Sequence, residues 1–404
     1  HLQETAEKGL RLCAAPAGRR PASPEGGDPG DAPASPASPS PGRSPSPVPS
    51  LAPSLAVDPA QLRAAAGAEV ERTPAWLMRQ AGRYMPEFRA YSDKYPFRHR
   101  SETPEIAIEL SLQPWRAFRP DGVVMFSDIL TPLPGLGIEF DVVKGKGPVI
   151  PDPVRTAADL AATHPLEDPS ASHAFVGETL RALRQEVGEE AAVLGFVGSP
   201  WTLAAYAMEG AAQRHLRCTK EIMTQDPATL HGLLERITES LITYANYQVD
   251  SGAHVVQLFE SWGHHLTPAQ FQEFALPYSE RVAAGIKAAH PETPVITYVN
   301  GGTGKLHLLR DSAADVVGLD WAVDMAVARE TLGPDVPVQG NIDPMVLFAP
   351  EDVIRREVAE CLEKAGPRGH ILNVGNGIIQ GTPPENVGLL FDLVRESAHA
   401  RALA

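Results

Sequence analysis

The chain has 404 residues, 43% of them hydrophobic, and a formal net charge of −15. That charge argues against broad nucleic-acid binding, yet it permits an anionic small-molecule substrate, because a local arginine cluster outweighs surface acids screened over about 8–10 Å. No apolar run approaches the roughly 18 residues of a membrane span, and Cys13, Cys218 and Cys361 are too dispersed for a disulfide framework, which points to a reducing compartment.

Residues 1–54 are dominated by Pro, Ser, Ala and Gly and hold 12 of the 39 prolines. Such a stretch buries too little apolar surface to offset its ordering entropy, so it is expected to be disordered. Arg19, Arg20, Arg43 and many serines suit a transit peptide, whereas Glu4, Glu7, Glu25, Asp28 and Asp31 do not. A plastid and a cytoplasmic address are both compatible with it. Residues 55–404, roughly 350, suit one large α/β barrel or two ordinary domains.

Eight short apolar runs follow, at Pro74–Met78, Val123–Phe126, Val193–Val197, His254–Phe259, Val295–Val299, Val316–Leu319, Val336–Val338 and His370–Val374. Their length and β-branched content predict buried strands. Between them lie stretches of helical period. Leu180, Leu183 and Val187 run up to a terminating Gly188. Leu230, Leu233, Leu234, Ile237 and Leu241 follow Asp226-Pro227, an N-cap and N1 proline, and Thr267-Pro268 opens another helix. Eight alternating βα units predict a closed, single (β/α)8 barrel. An open doubly wound sheet would usually carry a Gly-rich first turn, and no GxGxxG follows the first run.

A barrel of this kind places its active site at the C-terminal ends of the strands. The residues there include Arg79 and Arg83 after the first run, Ser127-Asp128 after the second, and Ser199 to Thr202 with Tyr206 after the third. Glu260-Ser261-Trp262-Gly263-His264-His265 follows the fourth, and Gly375-Asn376-Gly377 the eighth. Two arginines suit a substrate with several carboxylates, each held by a planar fork; an ion pair with an acid such as Glu87 is the structural alternative. Asp128 could stabilise a developing positive charge or simply cap a turn. Tyr206 and Ser261 could donate hydrogen bonds or relay a proton, or be an ordinary core tyrosine and loop serine. His264-His265 lacks a nearby Cys or acid to complete a ligand set, so no metal is predicted. Lys144 to Pro148 lacks Walker spacing and reads as a solvated loop, leaving no nucleotide cofactor site.

Together these residues resemble a known family. Residues 79–89, RQAGRYMPEFR, are similar to the N-terminal signature of uroporphyrinogen decarboxylases, and residues 195–203, GFVGSPWTL, to their second signature. Phe126 to Leu130, Gly145 to Pro148, Phe259 to Ser261, Gly318 to Trp321 and Gln339 to Pro344 agree in order, and the likeness runs from about Val57 to the C-terminus. The resemblance implies a (β/α)8 homodimer whose active-site clefts face each other. It implies conversion of uroporphyrinogen III to coproporphyrinogen III by four acetate decarboxylations without a cofactor. Asp128 then binds pyrrole N–H groups, Arg79 and Arg83 contact substrate carboxylates, and Tyr206 and Ser261 take the active-site tyrosine and hydroxyl positions. Catalytic roles fall to Asp128, Arg79 and Tyr206; an arginine near the macrocycle is a candidate to supply or mediate the proton, and sequence leaves the donor open. The family has a histidine where this chain has Asn376, and many members have an arginine in place of Ser92, with Arg89 and Lys94 as neighbours here. A zinc-using barrel methyltransferase of the same superfamily is the second reading, for which His215 and Cys218 have neither the usual spacing nor a place after a strand; a non-catalytic barrel is the third.

Overall fold

The computed structural model describes residues 59–402 apart from 69 and 144, with side chains through 397. The expected disordered tail of residues 1–54 lies outside them. Among the described residues the strands are β1 (Gly122–Val124), β2 (Asp141–Val143), β3 (Gly147–Val149), β4 (Ala192–Gly198), β5 (Val255–Glu260), β6 (Val295–Val299), β7 (Val316–Gly318), β8 (Val338–Gln339) and β9 (His370–Ile371). β2 and β3 form an antiparallel hairpin, and the other seven pair in parallel in the order β1-β4-β5-β6-β7-β8-β9.

Residues 74–78 supply the eighth stave. On the β9 side the Trp76 N–H donates to the Leu372 carbonyl at 3.3 Å and the Leu372 N–H to Pro74 at 2.8 Å; on the β1 side the Asp121 N–H donates to Ala75 at 2.8 Å. The sheet therefore returns on itself as the predicted (β/α)8 barrel. Arg72 reinforces the seam with a bidentate pair to Asp121 at 2.5 and 2.7 Å, while Asp121 Oδ2 also accepts the Ala75 N–H.

Local sequence explains the helices. The helix Ala174–Val187 buries Leu180, Leu183 and Val187 and stops at Gly188, whose φ of 54° favours glycine. The helix Pro227–Asp250 starts at Asp226, which accepts the Thr229 N–H, with Pro227 in its first turn. It sinks Leu230, Leu233, Leu234, Ile237 and Leu241 into the core, each worth about 1.5–3 kcal/mol. Thr267 and Gln270 cap each other reciprocally ahead of the helix Pro268–Phe274.

Three expectations shift. The seventh run begins at Val338 rather than Val336, because Pro337 has no N–H for the ladder. The eighth is named only over His370–Ile371, although Val374 still bridges to Ile342. The stretch expected as a loop before Pro148 contributes β3, paired to β2, so that only the turn is loop; Lys144 itself lies outside the described residues.

Candidate active site

Arg79 follows the first stave on a turn that its neighbours fix. Gln80 is buried; its Oε1 accepts the Leu77 N–H at 3.1 Å and its amide donates to the Gly122 carbonyl at 2.9 Å. The Asn373 side chain accepts the Met78 N–H at 2.9 Å from the other side. Held between β1 and β9, Arg79 adopts φ 62°, a left-handed conformation that disfavours any side chain and that clusters at functional sites. Its aliphatic stem lies across Gly377, where an added Cβ would fall 2.3 Å from Arg79 Cδ. Among the described residues its guanidinium has no hydrogen bond or ion pair, so the structural pairing with Glu87 is not formed. Asn376, beside Gly377, is exposed at the same place and turns its Oδ1 to the Gly377 N–H at 2.7 Å.

Asp128 sits in the loop after β1. Its Oδ1 accepts the Leu130 N–H at 2.8 Å and its own N–H donates to Thr131 Oγ1 at 3.2 Å. The carboxylate thus makes the local turn that sequence allowed as an alternative, and among the described residues its other oxygen has no hydrogen bond. Burial raises the Asp128 pKa, opposed by the Leu130 N–H and the Arg79 charge. Tyr206 projects from the helix Pro200–Glu209. Its hydroxyl is pushed up to about 12 by burial and by Asp128, against Arg79. Tyr298, which donates to the Gly375 carbonyl at 3.0 Å, is raised by burial and Asp320 and lowered by the same Arg79. Arg79, Asp128, Tyr206 and Tyr298 therefore share one electrostatic neighbourhood.

Ser261 lies at the tip of β5. Its carbonyl accepts the Asn300 amide at 3.0 Å, and among the described residues its hydroxyl has no hydrogen bond. The next residue, Trp262, stacks on Tyr206 with centroids 3.9 Å apart, which ties the Ser261 strand end to the tyrosine. Below them Glu260 is 1% exposed. Burial raises its carboxyl to about 8 against Thr202, the Trp262 amide and Lys305. Arg83 stands apart on an exposed turn, and its charge, with burial, lowers the Arg100 pKa. Arg89 is no replacement for an arginine at Ser92, because its guanidinium is spent on the Arg83 and Tyr84 carbonyls; Lys94 lies over the Tyr91 ring.

Sequence reasoning named Gln80, Trp262 and Glu260 without giving them a role, and did not single out Tyr298. A signal existed for Glu260, an acid closing an apolar strand. Gln80 and Tyr298 show no sequence signal, since their partners are 42 and 77 residues away. Among the described residues no three His, Cys, Asp or Glu side chains converge as a ligand set, and Cys218 lies within the helix Arg217–Gln225 rather than after a strand. A concavity of about 530 Å³ near Arg63, His254 and Glu292 belongs to the N-terminal ends of the strands, away from these residues.

Comparison with known proteins identifies the family. The sequence profile of the uroporphyrinogen decarboxylase (URO-D) family matches residues 58–397. Uroporphyrinogen decarboxylase of Crocosphaera subtropica is 52% identical over 339 residues, covering 84% of this chain and 96% of that protein. That of Gloeobacter violaceus is 51% identical over 341 residues, covering 84% and 98%. In fold, a methyltransferase from Methanosarcina mazei superposes with a TM-score of 0.67 at 20% identity, covering 83% of this chain and 97% of its own. A B12-independent methionine synthase from Shewanella superposes with 0.52 at 13% identity, covering 83% and 98%. A profile match along nearly the whole described length, with relatives about half identical over most of the chain, places the chain in the uroporphyrinogen decarboxylase family.

Proposed function

We propose that this chain removes the carboxyl groups of the four acetate side chains of uroporphyrinogen III, giving coproporphyrinogen III. The observation that carries the reading is the nearness of Asp128 and Arg79, opposite charges that form no ion pair with each other yet both act on Tyr206. Direct loss of CO2 from an acetate would leave an unstabilised carbanion. Protonation of the adjacent pyrrole carbon first gives a ring cation. The carboxylate C–C bond then breaks, its electron pair enters the cation, and CO2 leaves. A proton taken up at the former acetate carbon and one lost from the ring carbon complete the methyl group. The net change is one proton taken up per CO2 released, and the substrate ring is its own electron sink.

Asp128 accepts pyrrole N–H groups with the oxygen not used for Leu130. Those donors lower its raised pKa and hold it as a carboxylate beneath the cation, where its charge lowers the barrier. Arg79 holds a substrate carboxylate with Asn376 and keeps Asp128 ionised; its unpaired fork suits this role. Arg83, exposed at the rim, meets a peripheral carboxylate. Tyr206 and Ser261 offer hydroxyl groups toward the ring. The test is anaerobic incubation with uroporphyrinogen, followed by oxidation and separation of products by carboxyl number. Stepwise appearance of seven-, six-, five- and four-carboxyl products supports the reading, and unchanged substrate refutes it.

The chain is further proposed to be a homodimer. Trp321, Met345, Phe348 and Ile379 are 40–55% exposed on the loops after β7, β8 and β9, an apolar rim at the active-site end that favours a partner surface. A monomer at micromolar concentration by analytical ultracentrifugation would refute this. A plastid address is proposed from the Arg- and Ser-bearing tail and the cyanobacterial relatives; a reporter fused to residues 1–57 that stays cytosolic would refute it.

A further inference from the structure

Glu260 closes β5 directly beneath the mouth, yet the steps of the decarboxylation leave it without a task. Its side chain is buried, and Oε1 accepts the Thr202 hydroxyl at 2.5 Å while Oε2 has no partner among the described residues. Thr202 Oγ1 in turn accepts the Trp262 N–H at 3.2 Å. The Trp262 carbonyl accepts the Trp201 indole N–H at 3.2 Å. The Trp262 ring carries the Tyr206 ring, with centroids 3.9 Å and planes 26° apart.

Thr202 and Tyr206 are one turn apart on the helix Pro200–Glu209, so they share a face. That helix has no side-chain cap at its N-terminus. The Thr202 hydroxyl is therefore a side-chain tie between its first turn and the tip of β5. Lys305, whose ammonium donates to the Gly301 carbonyl at 2.9 Å, is the charged group facing Glu260, with Asp320 acting on Lys305 from the end of β7.

We infer that Glu260 is a positioning residue: through Thr202 it locks the Tyr206 helix to the Ser261-Trp262 strand end and so sets the tyrosine hydroxyl at the mouth. The inference rests on the reading that Tyr206 faces the substrate. The neutral acid suits the task, because it accepts from Thr202 without placing a charge beneath the ring stack.

The test compares Thr202→Val, Thr202→Ser, Glu260→Ala, Glu260→Gln and Tyr206→Phe, each in the full chain with uroporphyrinogen as substrate and circular dichroism as the check on folding. Loss of the tie lets the tyrosine drift, so Thr202→Val and Glu260→Ala lower kcat about ten- to a hundredfold with KM changed less than about threefold. Thr202→Ser and Glu260→Gln keep the hydrogen bond and recover most of that loss. In the Tyr206→Phe background, Glu260→Ala adds less than about threefold, because the two act as a unit. Glu260→Ala leaves a buried hydroxyl donor without its acceptor; if it fails to fold, Thr202→Val, which keeps the shape, decides. Wild-type kcat in Thr202→Val beside an impaired Tyr206→Phe overturns the latch while sparing the tyrosine. An undiminished loss on adding Glu260→Ala to Tyr206→Phe overturns it as well, by showing a merely structural role. Tyr206→Phe at the wild-type rate instead removes the reading on which the latch rests.

Discussion

Replacing Glu260 by Gln should stabilise the protein increasingly as pH rises. Burial lifts the Glu260 carboxyl from 4.5 to about 8, a shift of about 3.5 pH units. At about 1.4 kcal/mol per unit, this corresponds to about 5 kcal/mol as an upper bound, because local opening admits water. The sign follows from the folded pKa lying above the unfolded one. Below pH 4.5 the carboxyl is protonated in both states and its contribution is fully present. Between 4.5 and about 8 only the unfolded chain ionises, and stability is lost at up to about 1.4 kcal/mol per unit; above 8 the loss levels off. Gln does not titrate, so the gap between variant and wild type should widen from pH 5 to 8 and then stay constant. Urea midpoints measured at pH 5, 6, 7, 8 and 9 read this directly. Curves for wild type and Glu260→Gln that stay parallel from pH 5 to 8 would refute the buried, neutral acid.

Gly377→Ala should displace Arg79, because the new Cβ would meet Arg79 Cδ at 2.3 Å and Cγ at 2.7 Å; KM for uroporphyrinogen should rise about tenfold or more with folding retained, and an unchanged KM would contradict the placement of Arg79 on the substrate. Asn376→His should raise turnover or tighten substrate binding, since Asn can hydrogen-bond a carboxylate but carries no charge; no change, or harm, would show a site adapted to Asn. Chelators should leave turnover unchanged, and a loss restored by zinc would favour methyltransferase-like chemistry.

The barrel was legible because its signals are local. Asp226-Pro227, Thr267-Pro268 and Gly188 mark helix ends through their own backbone preferences, and eight apolar runs in βα alternation leave few other topologies. The hairpin of β2 and β3 escaped because a glycine and a proline fill two of the three positions of its return strand, Gly147–Val149, which reads as turn material. At the site, residue identity indicated chemistry but not company. Asp128 makes the local turn that sequence offered as the alternative to a charge-stabilising role, and the turn uses only one of its two oxygens. Arg89, near Ser92 in sequence, is bound to carbonyls of its own turn. Glu260 meets Thr202 across 58 residues, a pairing that exists only once β4 and β5 are neighbours.

The central claim is that the negative charge of Asp128 stabilises a cation on the pyrrole ring, and single-turnover decarboxylation of uroporphyrinogen by wild type, Asp128→Asn and Asp128→Glu tests it most directly. Asn retains size and an acceptor but not the charge, so its rate should fall roughly 100-fold or more, or at least about 2.7 kcal/mol in barrier, with circular dichroism unchanged. Glu retains the charge displaced by one methylene and should be impaired less. Decarboxylation by Asp128→Asn near the wild-type rate would contradict the claim.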